Sequence, residues 1–445
     1  MRVPGGALEI VRRLKEAGHE AFLAGGCVRD RLMGREPGDW DVATGAEAVE
    51  VQALFARTVP VGAQFGVVRV LLDDGEYEVA RFRRDEAYED GRRPRAVHPA
   101  GAREDAQRRD FTINGIFYDP LADRVIDFVG GEADIRTEIV RAIGDPGTRF
   151  GEDHLRMLRA VRFAARFGFE IEAETFGALQ KCAPLVRKTS PERVREELTA
   201  MLTDPHPERA FAMLMDAGLL AEVLPEVAET KGVPQPPEYH PEGEVWTHVL
   251  LTLRELRAPS PALAWGALLH DVGKPRTLTE PDRIRFNGHA EAGARMAGEI
   301  CQRLHMGNRE AERVRELVSN HMRFMNVMKM RPARLKRFLR EDYLRELLEL
   351  HQADCKASHG DLVTYRFCLE KLAQFEAEEE AAGLRPPPLL DGHALAGMGF
   401  TPGPIFKEIL DALEDEQLEE RIRTRPEAVV FVEKKFGDQA PQTGK

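Results

Sequence analysis

Leu23-Ala-Gly-Gly-Cys-Val-Arg-Asp30, followed closely by Gly38-Asp39-Trp40-Asp41, decides how the rest of the chain is read. The first stretch has the form of a strand end, two adjacent glycines and a short helix closed by Gly34. The second reads as a strand carrying two aspartates. Strand residues i and i+2 share a face, so Asp39 and Asp41 would stand side by side. Gly25 and Gly26 allow close backbone approach to a large anion, with helix N–H groups behind them. A phosphate cradle beside paired carboxylates points to Mg²⁺-dependent phosphoryl or nucleotidyl transfer.

The flanking pattern predicts an α+β module and not a βαβ series. Residues 8–18 form an amphipathic helix with a glycine stop, and 47–57 a second one. Gly66–Leu72 and Glu76–Phe82 read as paired strands around Asp73-Asp74-Gly75. Glu78 on the second of these is either a third carboxylate beside Asp39 and Asp41 or half of a cross-strand surface pair. Residues 83–107 are polar, show no clear period and read as a long loop. Arg108–Asn114 reads as the start of another strand through Ile116-Phe117-Tyr118.

From about Gly151 the pattern is helical almost throughout. In Gly151-Glu152-Asp153-His154-Leu155-Arg156, Asp153 and Arg156 are i,i+3 neighbours. A carboxylate only accepts hydrogen bonds and a guanidinium only donates. A fixed Asp–Arg pair therefore matches the pairing edges of cytosine and adenine, which offer an amino donor beside a ring-nitrogen acceptor. Uracil and guanine present the opposite order and would leave buried polar groups unpaired. The same spacing also suits an ordinary helix salt bridge. Arg159, Arg162 and Arg166 continue a basic surface able to hold an RNA backbone. A further set of His248, His270-Asp271, His289, His321 and Asp354 combines imidazoles and carboxylates in a helical context. This ligand chemistry suits a divalent metal that activates water for phosphoester hydrolysis.

Bulk properties frame these sites. The chain has 445 residues, enough for about three domains. Its five cysteines are scattered with no CxxC, which fits a reducing cytoplasm. No apolar run or leader pattern suggests a membrane segment. The net charge is −12, yet residues 322–340 carry seven Lys or Arg and no acid, and arginine suits phosphates and bases. Gly232-Val-Pro-Gln-Pro-Pro237 marks the clearest boundary. The expected division is a head at 1–138, a helical neck and body at 139–231, a metal-binding unit at 238–380 and a C-terminal helical region at 381–445. The last region opens at Pro386–Pro388, with helices near 402–414 and 416–436.

Leu23–Asp30 with Asp39-Trp-Asp41, Arg108–Asn114 and Glu152–Arg156 resemble the signature motifs of class II tRNA nucleotidyltransferases, the CCA-adding enzymes, and of their bacterial poly(A) polymerase relatives. Ser190–Glu197 is similar to the family's neck motif. His248, His270-Asp271 and Asp354 resemble the core of an HD phosphohydrolase domain, with His289 and His321 similar to the extra ligands of its two-metal members. The resemblance implies a polymerase-beta-like mixed-sheet head followed by an all-α neck, body and HD domain. It also implies Mg²⁺ at Asp39 and Asp41, with Glu78 beside them, and a triphosphate near Gly25, Gly26 and Arg29. Arg109, Asp110 and Asn114 would shape the sugar and phosphate environment. Asp153 and Arg156, with Arg159 and Arg162 alongside, would choose CTP and then ATP. The HD site would take Mg²⁺ or a divalent transition metal. The implied partner is tRNA, with no membrane and no obligate protein partner.

CCA-adding, A-adding, CC-adding and poly(A)-adding enzymes share these motifs. CC-adding relatives have lost or shortened the loop that 83–107 resembles, and dedicated bacterial poly(A) polymerases usually lack the HD domain. The resemblance therefore favours CCA addition, with A addition as the nearest alternative. A rival of another class is an RNA-end phosphohydrolase whose head only binds RNA.

Overall fold

The computed structural model describes residues 3–61, 66–86, 88, 91, 95–279, 283–382, 388–418 and 421–437. The chain begins with α1 (Gly5–Glu16), β1 (Ala21–Ala24), α2 (Gly26–Leu32), β2 (Val42–Thr44) and α3 (Ala48–Leu54). Strands β3 (Thr58–Pro60), β4 (Val67–Leu72) and β5 (Gly75–Arg81) follow. Then come β6 (Arg83–Asp85), β7 (Val97–Pro99), α4 (Ala102–Arg108), β8 (Ile116–Asp119) and β9 (Arg124–Asp127). Seven strands form one mixed sheet in the order β3-β4-β5-β2-β1-β8-β9. Within this sheet only β2 and β5 pair in parallel; outside it Ile139–Val140 pairs in parallel with Glu170–Ile171. The alternating burial of Val68, Val70, Tyr77 and Val79 places one face of the hairpin β4–β5 on the core. The turn at Asp73-Asp74-Gly75 joins them as expected, with Leu72 opposite Gly75.

The aspartates do not lie within a strand. Asp39 and Asp41 precede β2, at its mouth. The Asp41 carbonyl already accepts the Ala24 N–H at 3.0 Å, so pairing with the β1 end starts there, at the end of a central strand of the sheet.

The 83–107 segment is not one long loop. Its described parts contain the hairpin β6–β7 and helix α4. Buried Asp105 organises them: its carboxylate accepts from the Arg83 N–H at 3.2 Å and from the Arg108 and Arg109 guanidiniums at 2.7–3.1 Å. A segment held by a buried, charge-assisted hub and by two small apolar residues, Ala102 and Ala106, leaves little apolar period to read. Ala87, Glu89, Asp90 and residues 92–94 lie outside the described residues. Arg108–Asn114 is also not a strand start. It ends α4 and passes through a 3-10 turn, Thr112–Asn114, before β8.

The helical part opens earlier than the pattern implied, with α5 (Gly131–Arg136) and α6 (Pro146–Glu152). Asp145 caps α6, accepting the Thr148 N–H at 2.8 Å, with Pro146 at the first helical position. Next are α7 (Leu155–Phe167), α8 (Ala173–Cys182) and α9 (Pro191–Thr203). One hydrophobic cluster runs from Phe111 to Cys368 without a break at 232–237. Body and HD region therefore pack as one core, pinned by Trp265 Nε1 donating to Thr199 Oγ1 at 2.9 Å. The C-terminal region has its own cluster around Leu395, Ile409 and Val432 on helices Gly392–Gly397, Pro404–Leu418 and Arg425–Phe436. Most of the Pro386–Pro388 run lies outside the described residues. Among the described residues no helix is long and apolar enough to cross a membrane.

Candidate active sites

The first site lies where the sheet meets α7, around a cavity of about 350 Å³. Gly25, Gly26, Arg29, Asp41, Arg109, Asp110, Asn114, Asp153, Arg156 and Arg159 line it, joined by Arg108 and Phe163. Gly25 has φ +73°, and a Cβ there would sit 2.9 Å from Arg109 Nη1. Gly25→Ala is expected to cost about 1–2 kcal/mol of local strain and to push Arg109 away. Nucleotide incorporation should then fall at least tenfold with the melting temperature nearly unchanged, checked by primer extension and thermal denaturation.

The anion-facing side chains are fixed by a relay. Arg29 donates to Asn114 Oδ1 at 2.6 Å, Asn114 Nδ2 donates to Asp110 Oδ1 at 3.0 Å, and Arg159 Nε donates to Asp110 Oδ2 at 2.9 Å. Burial opposes charge on Asp110, but Arg159 and Asn114 outweigh it and hold its carboxyl down at about 2. Arg162 does not line the cavity. It forms an ion pair with Glu197 of α9, 2.7 Å away, and Arg159 lies 3.7 Å from the same carboxylate.

Of the three expected carboxylates Asp41 lines the cavity, while Asp39 and Glu78 lie outside its lining but near enough for their charges to act on Asp41. The parallel register Val42↔Val79 places Asp41 beside Glu78. Glu78 forms the cross-strand pair with Arg69 of β4 at 3.2 Å, and it is also among the charges acting on Asp41. Burial, Asp39 and Glu78 together push the Asp41 carboxyl up to about 6. Such crowding of like charge fits a divalent cation, which would relieve it.

The expected Asp153–Arg156 pair does not form. The helix breaks at Asp153-His154, between α6 and α7, so the two residues are not stacked on one helical face. Asp153 instead takes a two-pronged contact from Arg193 of α9 at 2.9 and 3.1 Å. Arg156 bonds Glu152 at 2.6 Å and the Arg108 carbonyl at 3.1 Å. Each is held separately, yet both face the same cavity. Arg193 and Glu197 sit i,i+4 on α9 and were legible only as part of the neck-like motif, with no role attached. Arg193→Ala is expected to release Asp153, raise KM for correct nucleotides about tenfold and increase UTP incorporation. Steady-state kinetics with single nucleotides checks this.

The second site gathers every residue expected of it. His248 lies in the helix Val245–Glu255, and His270 ends the helix Pro261–Leu269. His289 opens His289–Arg303, His321 follows Asn308–Asn320, and Asp354 lies in Leu344–Ala357. The turn after Asp271 packs so tightly that a Cβ on Gly273 would lie 2.2 Å from the His289 carbonyl. His270, His289 and His321 each give Nδ1–H to a backbone carbonyl at 2.7–2.8 Å. Their Nε2 atoms therefore carry lone pairs when neutral. His289 Nε2 and His321 Nε2 face each other at 3.2 Å, as do those of His248 and His270. The facing lone pairs of His289 and His321 repel, and a shared cation resolves their arrangement. Asp271 lies between the two groups, Oδ2 3.3 Å from His270 and Oδ1 3.6 Å from His289. His248 Nε2 is 3.1 Å from Asp354 Oδ1. Burial opposes charge on His248, but Asp354 and Glu242 outweigh it and push it up to about 9. Burial and His270 push His321 down to about 3. The donor set fits two adjacent divalent cations. A cavity of about 410 Å³ opens over it. Sequence reasoning missed Glu242 and Lys274; Lys274 Nζ lies 2.7 Å from Asp271 Oδ2.

Head and helical part together define a nucleotidyltransferase-type site joined to an HD-type site. Family models agree: residues 21–141 match the poly A polymerase head domain. Residues 168–231 match the probable RNA- and SrmB-binding site of polymerase A, and 244–356 the HD domain. The chain is 33% identical over 439 residues to the A-adding tRNA nucleotidyltransferase of Deinococcus radiodurans, covering 93% of this chain and 95% of that one. The chain belongs to the class II tRNA nucleotidyltransferase family. It is also 42% identical over 226 residues to the CCA-adding enzyme of Anoxybacillus flavithermus, covering 51% of this chain and 56% of the other. It thus spans about half the length of such relatives. The crystal structure of the Bacillus stearothermophilus CCA-adding enzyme in complex with CTP superposes with a TM-score of 0.73, 26% identity and 99% coverage of both chains.

Proposed function

We propose that the chain adds C, C and A to the 3′ end of tRNA from CTP and ATP without a nucleic-acid template, in the cytoplasm. The observation that carries this is the shared cavity: Asp153 and Arg156 face the same space as Gly25, Gly26 and the Asp41 carboxylate. Mg²⁺ held by Asp39, Asp41 and Glu78 would supply the charge that activates the RNA 3′-hydroxyl and neutralises the triphosphate. Arg29, Arg109 and Asn114 bind and orient the triphosphate and sugar. Asp153 and Arg156 read the base edge. Attack on the α-phosphate releases pyrophosphate, with positioning supplying much of the rate. The basic stretch 322–340 is the proposed rest for the body of the tRNA.

The second site is proposed to hydrolyse phosphoesters at RNA ends, so that repair and addition are consecutive. His248, His270, Asp271, His289, His321 and Asp354 would hold the cations, whose chemistry there is activation of water. The facing imidazole lone pairs support this reading.

A second reading, addition of A alone after a partner has added CC, is favoured by the name of the relative that aligns along the whole chain. The discriminating experiment uses three tRNA substrates ending before CCA, after C and after CC, resolved to single nucleotides. CCA addition predicts that all three reach the mature end when CTP and ATP are present. Growth of only the CC-ended substrate, by one A, overturns the first reading for the second.

A further inference from the structure

The segment that reads as a linker between body and HD region is a folded flap. Pro234 and Glu244 pair as an antiparallel bridge. The Gln235 N–H donates to the Gly243 carbonyl at 2.9 Å, and the Val245 N–H to Val233 at 3.0 Å. The chain therefore doubles back over 233–245, and two of its side chains reach the histidine–aspartate cluster. Buried Gln235 accepts from Lys274 Nζ at 2.6 Å. The Glu242 carboxylate, 5% exposed, places Oε1 2.7 Å from His248 Nδ1 and 2.8 Å from His240 Nδ1.

His248 differs from the other three histidines in what faces its Nδ1. Those three give Nδ1–H to main-chain carbonyls. His248 sits inside a helix and meets a carboxylate instead. The Glu242 carboxylate stands 2.7 Å from His248 Nδ1 as an ion-pair contact, and a negative charge there favours the proton on Nδ1, leaves Nε2 to bind a cation and raises that nitrogen's basicity. That opposite nitrogen is the one 3.1 Å from Asp354 and 3.2 Å from His270 Nε2. The same oxygen of Glu242 orients His240, whose ring borders the cavity.

We propose that Glu242, carried by the 233–245 flap, is the positioning residue that fixes His248 as an Nε2 ligand for a divalent cation. The inference rests on reading His248, His270, Asp271 and Asp354 as cation ligands. It makes the flap a working part of the second site.

The test is a Co²⁺ titration of the full chain, followed by visible absorption and calorimetry, for the wild type, Glu242→Gln and Glu242→Ala. Gln keeps the shape and one acceptor but loses the charge. The wild type is expected to bind two ions at the second site, over and above any taken up by the head carboxylates Asp39, Asp41 and Glu78. Affinity at one site should fall about tenfold in Glu242→Gln and about a hundredfold in Glu242→Ala. The second ion, at Asp271, His289 and His321, should keep its affinity and absorption, and the melting temperature of Glu242→Gln should hold. Unchanged affinity in both variants overturns the proposal. So does an equal loss at both sites with a lower melting temperature, the mark of a purely structural role. A wild-type chain that takes up no Co²⁺ overturns it together with the cation reading. Co²⁺ uptake with the expected variant pattern but no hydrolysis of RNA-end phosphates supports it and sinks only the hydrolase reading.

Discussion

Asp41→Ala is expected to lower nucleotide incorporation about a thousandfold or more while hydrolysis at the second site continues. Asp41 stands at the mouth of β2, beside Glu78 in parallel register, and its carboxyl is pushed up to about 6 by burial, Asp39 and Glu78. An acid cluster this crowded weakens the fold when no cation occupies it, so the loss of function should not come from unfolding. The melting temperature without Mg²⁺ should hold or rise, and its gain on adding Mg²⁺ should shrink, because binding to the native state is what stabilises. Primer extension with labelled CTP, paired with thermal denaturation at two Mg²⁺ concentrations, measures both. Incorporation within tenfold of wild type would mean that the carboxylates are not the metal site.

Asp271→Asn should have the complementary effect, removing hydrolysis about a thousandfold and leaving incorporation within about twofold, as distant sites behave independently. Asp271 sits between both imidazole groups and also faces Lys274. Burial opposes its charge, yet Lys274 and His270 hold it well below the usual carboxylate range. Asn preserves the shape but supplies only a neutral oxygen, so one substitution weakens both cation positions. His270→Ala should remove hydrolysis as well, but it deletes a buried side chain that lines the second cavity, so its melting temperature must be followed. Loss of incorporation in Asp271→Asn would show that the two sites are not separable.

Which parts of this were legible in the sequence follows from what holds them. The hairpin β4–β5 and its Asp73-Asp74-Gly75 turn have the period-2 burial that alternation reports. The glycines before α2 and the six second-site residues were found because their chemistry is local or distinctive, and the fold brings those six together. Three things escaped. Asp105 ties β6, α4 and Arg109 together, and α4 meets the core through only two small residues, Ala102 and Ala106, which leaves little periodic trace. The Asp153–Arg156 spacing assumed an unbroken helix, but Asp145 caps α6 and Asp153 accepts the Leu155 N–H at 3.1 Å, starting a new helix. Arg193 reaches Asp153 from 40 residues away, and Glu242 lies just beyond the Gly232–Pro237 boundary, with nothing in its local pattern to tie it to His248. Local pattern reports elements, whereas the side chains that orient a site come from wherever packing brings them.

The central claim is that protein side chains choose the base. Equilibrium competition of CTP, ATP, UTP and GTP for the full chain with Mg²⁺ and no RNA tests it most directly, with Asp153→Ala alongside. CTP and ATP should bind at least tenfold more tightly than UTP and GTP, and the preference should collapse in Asp153→Ala. Equal binding of all four nucleotides, or a preference that survives Asp153→Ala, would contradict it.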